Sequence, residues 1–249
     1  MTPAKYVPPT GLLTGRVILV TGATGGIGRA VSLACARHGA TVVLHGRDQA
    51  KLDELYDALR SGSGTEPAAL PLDLAAAGSR HFDALAADID HAFGRLDGVV
   101  HCASHTLPLK AVDAVSPEDW KAVFGINVAS ALGITRACLP LLRDAPDASV
   151  IYTLESHYAV GGAYLSPVSL TGASLAMAVR TQSEEWSSCP TLRCNGIVPG
   201  PVNSPARRKT HPGESKVALP SADSVVPTYL WLLGSDGSQS KGIIHPAQD

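Results

Sequence analysis

No apolar run in this chain approaches the length of a membrane span, and residues Met1 to Pro9 have no apolar core of the kind a signal peptide needs. No excess of basic residues is present. Twenty Lys and Arg against 22 Asp and Glu leave a formal net charge of −2, which argues against a nucleic-acid-binding surface. There is no composition break to mark a linker and no internal repeat. Cysteine is sparse and odd in number. Cys35, Cys102, Cys138, Cys189 and Cys194 are scattered, with no pair at metal-ligand spacing, which predicts reduced thiols, no metal and a cytoplasmic protein. With membrane and nucleic acid excluded as expected partners, a small-molecule ligand is left.

What is present is a regular alternation. The run Arg16-Val17-Ile18-Leu19-Val20 has the length and β-branched content of a buried strand. Thr21-Gly22-Ala23-Thr24-Gly25-Gly26-Ile27-Gly28 follows, and then Arg29 to His38 at helical spacing, ending at Gly39. A glycine turn between a strand and a helix is the context of a dinucleotide-binding fingerprint. Gly22 would allow the tight turn, Gly26 would let backbone approach a pyrophosphate, and Gly28 would let helix and strand pack closely. The helix N-terminus offers its free N–H groups to phosphate. Further strands are expected at 40–47, 67–74, 96–103, 149–154, 192–198 and 242–244, with helices at 48–59, 79–93, 117–142, 166–186 and 222–233. Asp48 and Ser116 are the expected caps of two of these helices, and Pro117 opens the long one. The polar stretch 199–220 reads as a lid. This pattern predicts a single-domain α/β fold over 16–249, a doubly wound parallel sheet of seven strands, with residues 1–15 as an extended arm. The ligand crevice belongs at the C-terminal ends of the strands.

Several spaced phrases in order make the chain resemble the short-chain dehydrogenase/reductase superfamily, and within it the YciK-like oxidoreductases. They are Gly15-Arg16-Val17-Ile18-Leu19-Val20-Thr21-Gly22, Arg95-Leu96-Asp97-Gly98-Val99, Gly125-Ile126-Asn127-Val128, Val198-Pro199-Gly200 and Pro227-Thr228-Tyr229-Leu230-Trp231-Leu232-Leu233. The resemblance covers nearly the whole chain. It implies cofactor contacts at Gly22, Thr24, Gly26, Ile27 and Gly28, at Asp73 and Leu74 beside the adenine, at Ala103, and at Pro199 and Gly200 leading to the nicotinamide amide. NAD binders place an acidic residue at the end of the second strand to hold the ribose 2′-hydroxyl. Here that place reads His45-Gly46-Arg47, and a guanidinium suits a 2′-phosphate, so NADP(H) is the expected cofactor. An Arg47 that only solvates the next helix, and an Asp73 that only ends a strand, are the plain alternatives. The resemblance also implies a homodimer or homotetramer.

The same comparison exposes a break in the chemical half. The family uses a Tyr whose pKa is lowered by a Lys four residues on, with a Ser on the fifth strand and an Asn in the preceding long helix. Reading across, the Tyr position falls on Val168, the Lys position on Gly172 and the Ser position on Glu155, with Ser156 beside it; Asn127 alone fits. Valine has no proton to transfer, and general acid catalysis is commonly worth ~10²–10⁴-fold. His101, His105, Glu155, His157, Tyr158 and Tyr164 border the expected cleft, and His157 or Tyr158 is the candidate replacement acid. A metal set of His101, His105, Glu155 and His157 matches no common ligand spacing. Three functions follow. One is an NADP(H)-binding protein without ordinary hydride transfer. Another is an NADP-dependent oxidoreductase, or a lyase or isomerase using Glu155, with a rebuilt acid/base site. The last is an oligomeric module that has lost the dinucleotide. The basic run Arg207, Arg208, Lys209 and His211 in the lid either meets an acidic ligand group or is solvated.

Overall fold

The structure is a computed structural model, and it describes residues 3–155, 159–215 and 217–248. Seven parallel strands form one sheet in the order β3-β2-β1-β4-β5-β6-β7. They are β1 (Val17–Thr21), β2 (Thr41–Gly46), β3 (Ala68–Pro71), β4 (Gly98–His101), β5 (Ala148–Thr153), β6 (Leu192–Val198) and β7 (Ile244–Pro246). Every residue of β1 and β4 is buried, as a strand covered on both faces requires. The helices are α1 (Gly26–Arg37), α2 (Gln49–Ser63), α3 (Ser79–Phe93), α4 (Pro117–Phe124), α5 (Ser130–Asp144), α6 (Ser166–Glu185), α7 (Pro205–Thr210) and α8 (Val226–Leu233). Alternate strand residues feed two cores. Ile18, Val20, Val42 and Leu44 pack with α1, α2 and α8. Val17, Leu19, Val43, Val99 and Tyr152 pack on the other face with α3, α5 and α6.

The strand order reverses direction between β1 and β4, and there the two chains part to leave a crevice at their C-terminal ends. The expected caps are in place. The Asp48 carboxylate accepts from the Lys51 N–H at 3.3 Å, and the Ser116 hydroxyl from the Asp119 N–H at 3.0 Å.

Four expectations are corrected. Residues 3–15 are no free arm: Leu13 is fully buried, and the Tyr6 hydroxyl donates to Asp236 at 3.0 Å across α8. The third strand stops at Pro71, so Asp73 lies beyond it in the loop. The helix expected over 117–142 is not continuous α-helix but changes to a π turn over Gly125–Ala129 between α4 and α5. The Ser130 hydroxyl donates to the Gly125 carbonyl at 2.8 Å and so satisfies an oxygen in the turn. Finally, the helical stretch Pro117–Asp144 passes the length and hydropathy measure of a membrane span, contrary to the reading of the sequence, with a mean hydropathy of 1.5. Its apolar side chains Val123, Ile134, Cys138 and Leu142 are buried within the protein.

Candidate functional site

The turn between β1 and α1 has the tight geometry that its glycines require. Gly22 has φ +64°, and a Cβ there would lie 2.7 Å from the Ala103 backbone on the neighbouring strand end. A Cβ on Gly28 would overlap the Gly22 carbonyl oxygen, so helix and strand meet at backbone distance. Gly26 faces the lid, with Ser204 Cβ 3.0 Å from where its own Cβ would stand. No side chain caps α1, whose N-cap is Gly25. Its first-turn N–H groups therefore point to the crevice without a side-chain acceptor.

Above this turn lies a cavity of about 560 Å³, within the usual range for small-molecule sites. Its walls include Gly22, Thr24, Gly26, Ile27 and Gly28 of the turn, Arg47 after β2, Asp73 and Leu74 after β3, and Ala103 after β4. Pro199 and Gly200 line it after β6, and Asn127 and Glu155 line it on the far side. These sequence-predicted residues are thus brought together around one space. Ser156, His157 and Tyr158 lie outside the described residues. A second concavity, between α3 and α5 and bordered by Asp83, Arg95 and Pro140, shares none of these residues.

The two ends of the cavity differ in chemistry. At the β2 end, Arg47 is exposed and forms no hydrogen bond or ion pair with the described residues, and no carboxylate ends the strand. Asp48 is instead paired with Lys51 at 2.9 Å. At the β5 end, the wall is the first half of α6, which contributes Val168, Thr171, Gly172 and Leu175. No tyrosine lines the cavity among the described residues, and its lysines, Lys51 and Lys209, belong to α2 and the lid. Tyr164 is 59 % exposed on the loop before α6, at φ +68°, and is not part of the wall.

Asn127 sits in the π turn, buried, and its carboxamide holds the loop after β4. Oδ1 accepts from the His105 N–H at 2.6 Å, and Nδ2 donates to the His105 carbonyl at 3.1 Å. Nδ2 also lies 3.4 Å from Thr171 Oγ1, whose own hydroxyl donates to the Val168 carbonyl at 3.1 Å. Burial, with the charges of Lys209 and Arg47 adding to it, lowers the His105 pKa, so its ring is neutral at pH 7. The floor holds a second chain of contacts, Cys102 Sγ to Thr153 Oγ1 at 3.3 Å and Thr153 Oγ1 to the Tyr229 hydroxyl at 2.9 Å. Burial pushes the Cys102 thiol up to about 12, which rules out a thiolate nucleophile.

His101 departs from its expected place. It lies under the sheet, stacked on Tyr152 at 4.9 Å and bonded to Thr135 at 2.8 Å, and it does not line the cavity. Sequence reading missed Thr171, His45 and Ser204. His45 is 1 % exposed, and neither ring nitrogen has a hydrogen-bond partner among the described residues. Ser204 caps α7 by accepting from the Arg207 N–H at 3.1 Å, and Ser204-Pro205 in the sequence is the signal that foretells it.

The comparisons with known proteins agree with this geometry. Residues 16–215 match the family model described as short chain dehydrogenase. The uncharacterized oxidoreductase YciK of Escherichia coli is 32% identical over 243 residues, covering 98% of this chain and 96% of that one. A solved structure of a short chain dehydrogenase homologue from Pseudomonas syringae is 36% identical with a TM-score of 0.95, covering 98% of this chain and 99% of that one. Another, from Escherichia coli and complexed with NADPH, is 32% identical with a TM-score of 0.94, covering 97% of this chain and 100% of that one. The chain belongs to the short-chain dehydrogenase family, on its YciK-like branch.

Proposed function

We propose that this protein binds NADP(H) and does not perform the ordinary proton-coupled reduction of a carbonyl. The observation that carries the second half is the α6 wall: Val168 and Gly172 face the cavity where a tyrosine–lysine pair is expected. The residues present suit the dinucleotide. Gly22, Gly26 and Gly28 keep side chains out of a cradle that any Cβ would fill or distort, and the uncapped α1 terminus suits phosphate. Arg47 is free to pair with a 2′-phosphate, and the absence of a carboxylate at the end of β2 removes the repulsion it would meet. The Escherichia coli relative complexed with NADPH supports the same choice. The dinucleotide, when bound, supplies a hydride. Asn127 holds the loop after β4, and the lid residues Ser204 and Pro205 close over the turn.

The experiment is a calorimetric titration with NADPH and NADH, followed by turnover assays against aldehydes, ketones and alcohols. NADPH binds saturably, NADH more weakly, and no carbonyl turns over. Arg47→Ala weakens NADPH by roughly ten- to a hundredfold and leaves NADH unchanged. No saturable binding of either dinucleotide would refute the reading. Steady carbonyl turnover would instead favour a rebuilt acid/base site, for which Glu155 and His105 in the cavity wall are described candidates.

A further inference from the structure

Among the described residues, four Lys and Arg side chains line the cavity: Arg47, Lys51, Arg207 and Lys209. Two of them are engaged. Lys51 pairs with Asp48 at 2.9 Å, and Arg207 donates twice to Glu214, at 2.7 and 2.9 Å. Arg47 and Lys209 are exposed and form no hydrogen bond or ion pair with the described residues. A free cation in a concave wall draws anions to it. Arg47, after β2, has its anion in the 2′-phosphate proposed above. Lys209, on α7 in the lid, has none assigned.

The two ends of α7 fix where Lys209 lies. At the first, Ser204 caps the helix, and its Cβ is 3.0 Å from where a Gly26 Cβ would stand. At the second, Lys209 is close enough to His105 for its charge to help lower the pKa of that ring. His105 belongs to the loop after β4, which begins against the glycine turn. The Ala103 backbone lies 2.7 Å from the Gly22 Cβ position, and His105 follows within about 7 Å of chain. Six residues of α-helix span about 9 Å. The lid helix therefore runs from Gly26 toward the loop after β4, over the glycine turn, with Lys209 in the lining of the space below. The turn itself brings no cation. Residues 21–28 include neither Lys nor Arg, and Arg29 is not part of the cavity wall. A pyrophosphate seated there meets N–H groups from α1 and no positive side chain from the turn.

We infer that Lys209 is the lid's counter-charge for the pyrophosphate of the bound dinucleotide, so that phosphate, and not the nicotinamide, holds the lid shut; this rests on the dinucleotide-binding reading above. A lysine suits the task. Its ammonium is a compact charge on a flexible stem, able to meet either phosphate of the bridge. The pair exists only while α7 lies over the turn, because α7 carries the cation. The two free cations then divide the ligand between them. Arg47 takes the 2′-phosphate that only NADP(H) has, and Lys209 takes the bridge that NADP(H) and NAD(H) share.

The test uses the full chain and calorimetric titration with NADPH, NADH, ADP-ribose and adenosine 2′-monophosphate. The first three carry the pyrophosphate; the last carries the 2′-phosphate alone. Lys209→Met weakens NADPH, NADH and ADP-ribose by one common factor, roughly five- to thirtyfold, and leaves adenosine 2′-monophosphate unchanged. The factor shrinks as salt is raised, and Lys209→Arg retains most of the affinity. In stopped-flow displacement the loss shows as faster release. Unchanged affinity of Lys209→Met for all three pyrophosphate ligands overturns the proposal while leaving dinucleotide binding intact. A loss confined to NADPH and adenosine 2′-monophosphate also overturns it, because Lys209 would then serve the 2′-phosphate beside Arg47. If the unaltered protein binds neither dinucleotide, the reading above fails first and this proposal falls with it.

Discussion

His45 and His101 point to the same face of the sheet, near enough for a charge on His45 to be felt at His101, and both are buried. Desolvation lowers the His45 pKa from 6.5 to about 4; for His101, burial and then repulsion from His45 lower it to about 3. In the window between these values and 6.5, the unfolded chain binds protons that the folded chain refuses. Stability is therefore full above pH 6.5 and is lost as the pH falls toward 4, at about 1.4 kcal/mol per pH unit for each ring. Urea unfolding from pH 7 to pH 4 should show this slope, and His45→Leu should halve it. Because His45 has two ring nitrogens without partners, the same variant should gain about 1–2 kcal/mol at pH 7. A variant with an unchanged slope would show that His45 does not titrate as described. The sequence showed that β2 ends in His45-Gly46 and not in a carboxylate. It did not show that the histidine beside Gly46 turns inward, although the period of two from Val43 points that way. Thr171 was invisible for a similar reason, since its value comes from Asn127, which lies forty-four positions away in sequence.

Among the elements, the β1–α1 turn was the most legible, because a glycine pattern records backbone approach directly. Gly28→Ala should cost about 2 kcal/mol or more in unfolding free energy and abolish NADPH binding, since the new methyl meets the Gly22 carbonyl. Retained affinity would contradict the close packing. The π turn between α4 and α5 was illegible. Its apolar spacing is that of a continuous helix, and the departure is made by Asn127 reaching the loop after β4. At the opposite end of the sheet Asp147 binds Arg16 and Arg193 together, and Arg193 also donates to the Leu232 and Gly234 carbonyls, which ties β1, β6 and the end of α8. Burial works against the Asp147 carboxylate, but the hydrogen bonds from Arg193 and Arg16 outweigh it and hold its pKa low. Such a depressed carboxylate contributes stability above its unfolded pKa, and this is lost as pH falls through the folded value. Asp147→Ala should cost about 3 kcal/mol, because Arg193 is left buried with its charge unpaired. A change below 1 kcal/mol in the urea midpoint analysis would show that the clamp is idle.

For the molecule as a whole, alternation of strand and helix was enough to foretell a parallel seven-stranded sheet and the place of its crevice. Lid architecture was not. The lid's ends are tied by the Asn203 N–H donating to the Pro220 carbonyl at 2.9 Å, and Arg207 grips Glu214 through two bonds of 2.7 and 2.9 Å. Hydrogen bonding to Arg207 lowers the Glu214 pKa, so the pair is ionised at neutral pH. Glu214→Gln should therefore speed NADPH release several-fold in stopped-flow displacement while leaving the unfolding midpoint nearly unchanged. An unaltered release rate would mean the lid is held by something else.

The contact between Gly26 and Ser204 sets a sequence of events. Ser204 Cβ lies 3.0 Å from where a Gly26 Cβ would stand, and both residues line the cavity, so the lid narrows the approach of a pyrophosphate to the glycine turn. A flap that lifts to admit NADPH should make the observed association rate level off at high NADPH, its plateau reporting the opening step; a rate that climbs linearly would show that entry needs no such step.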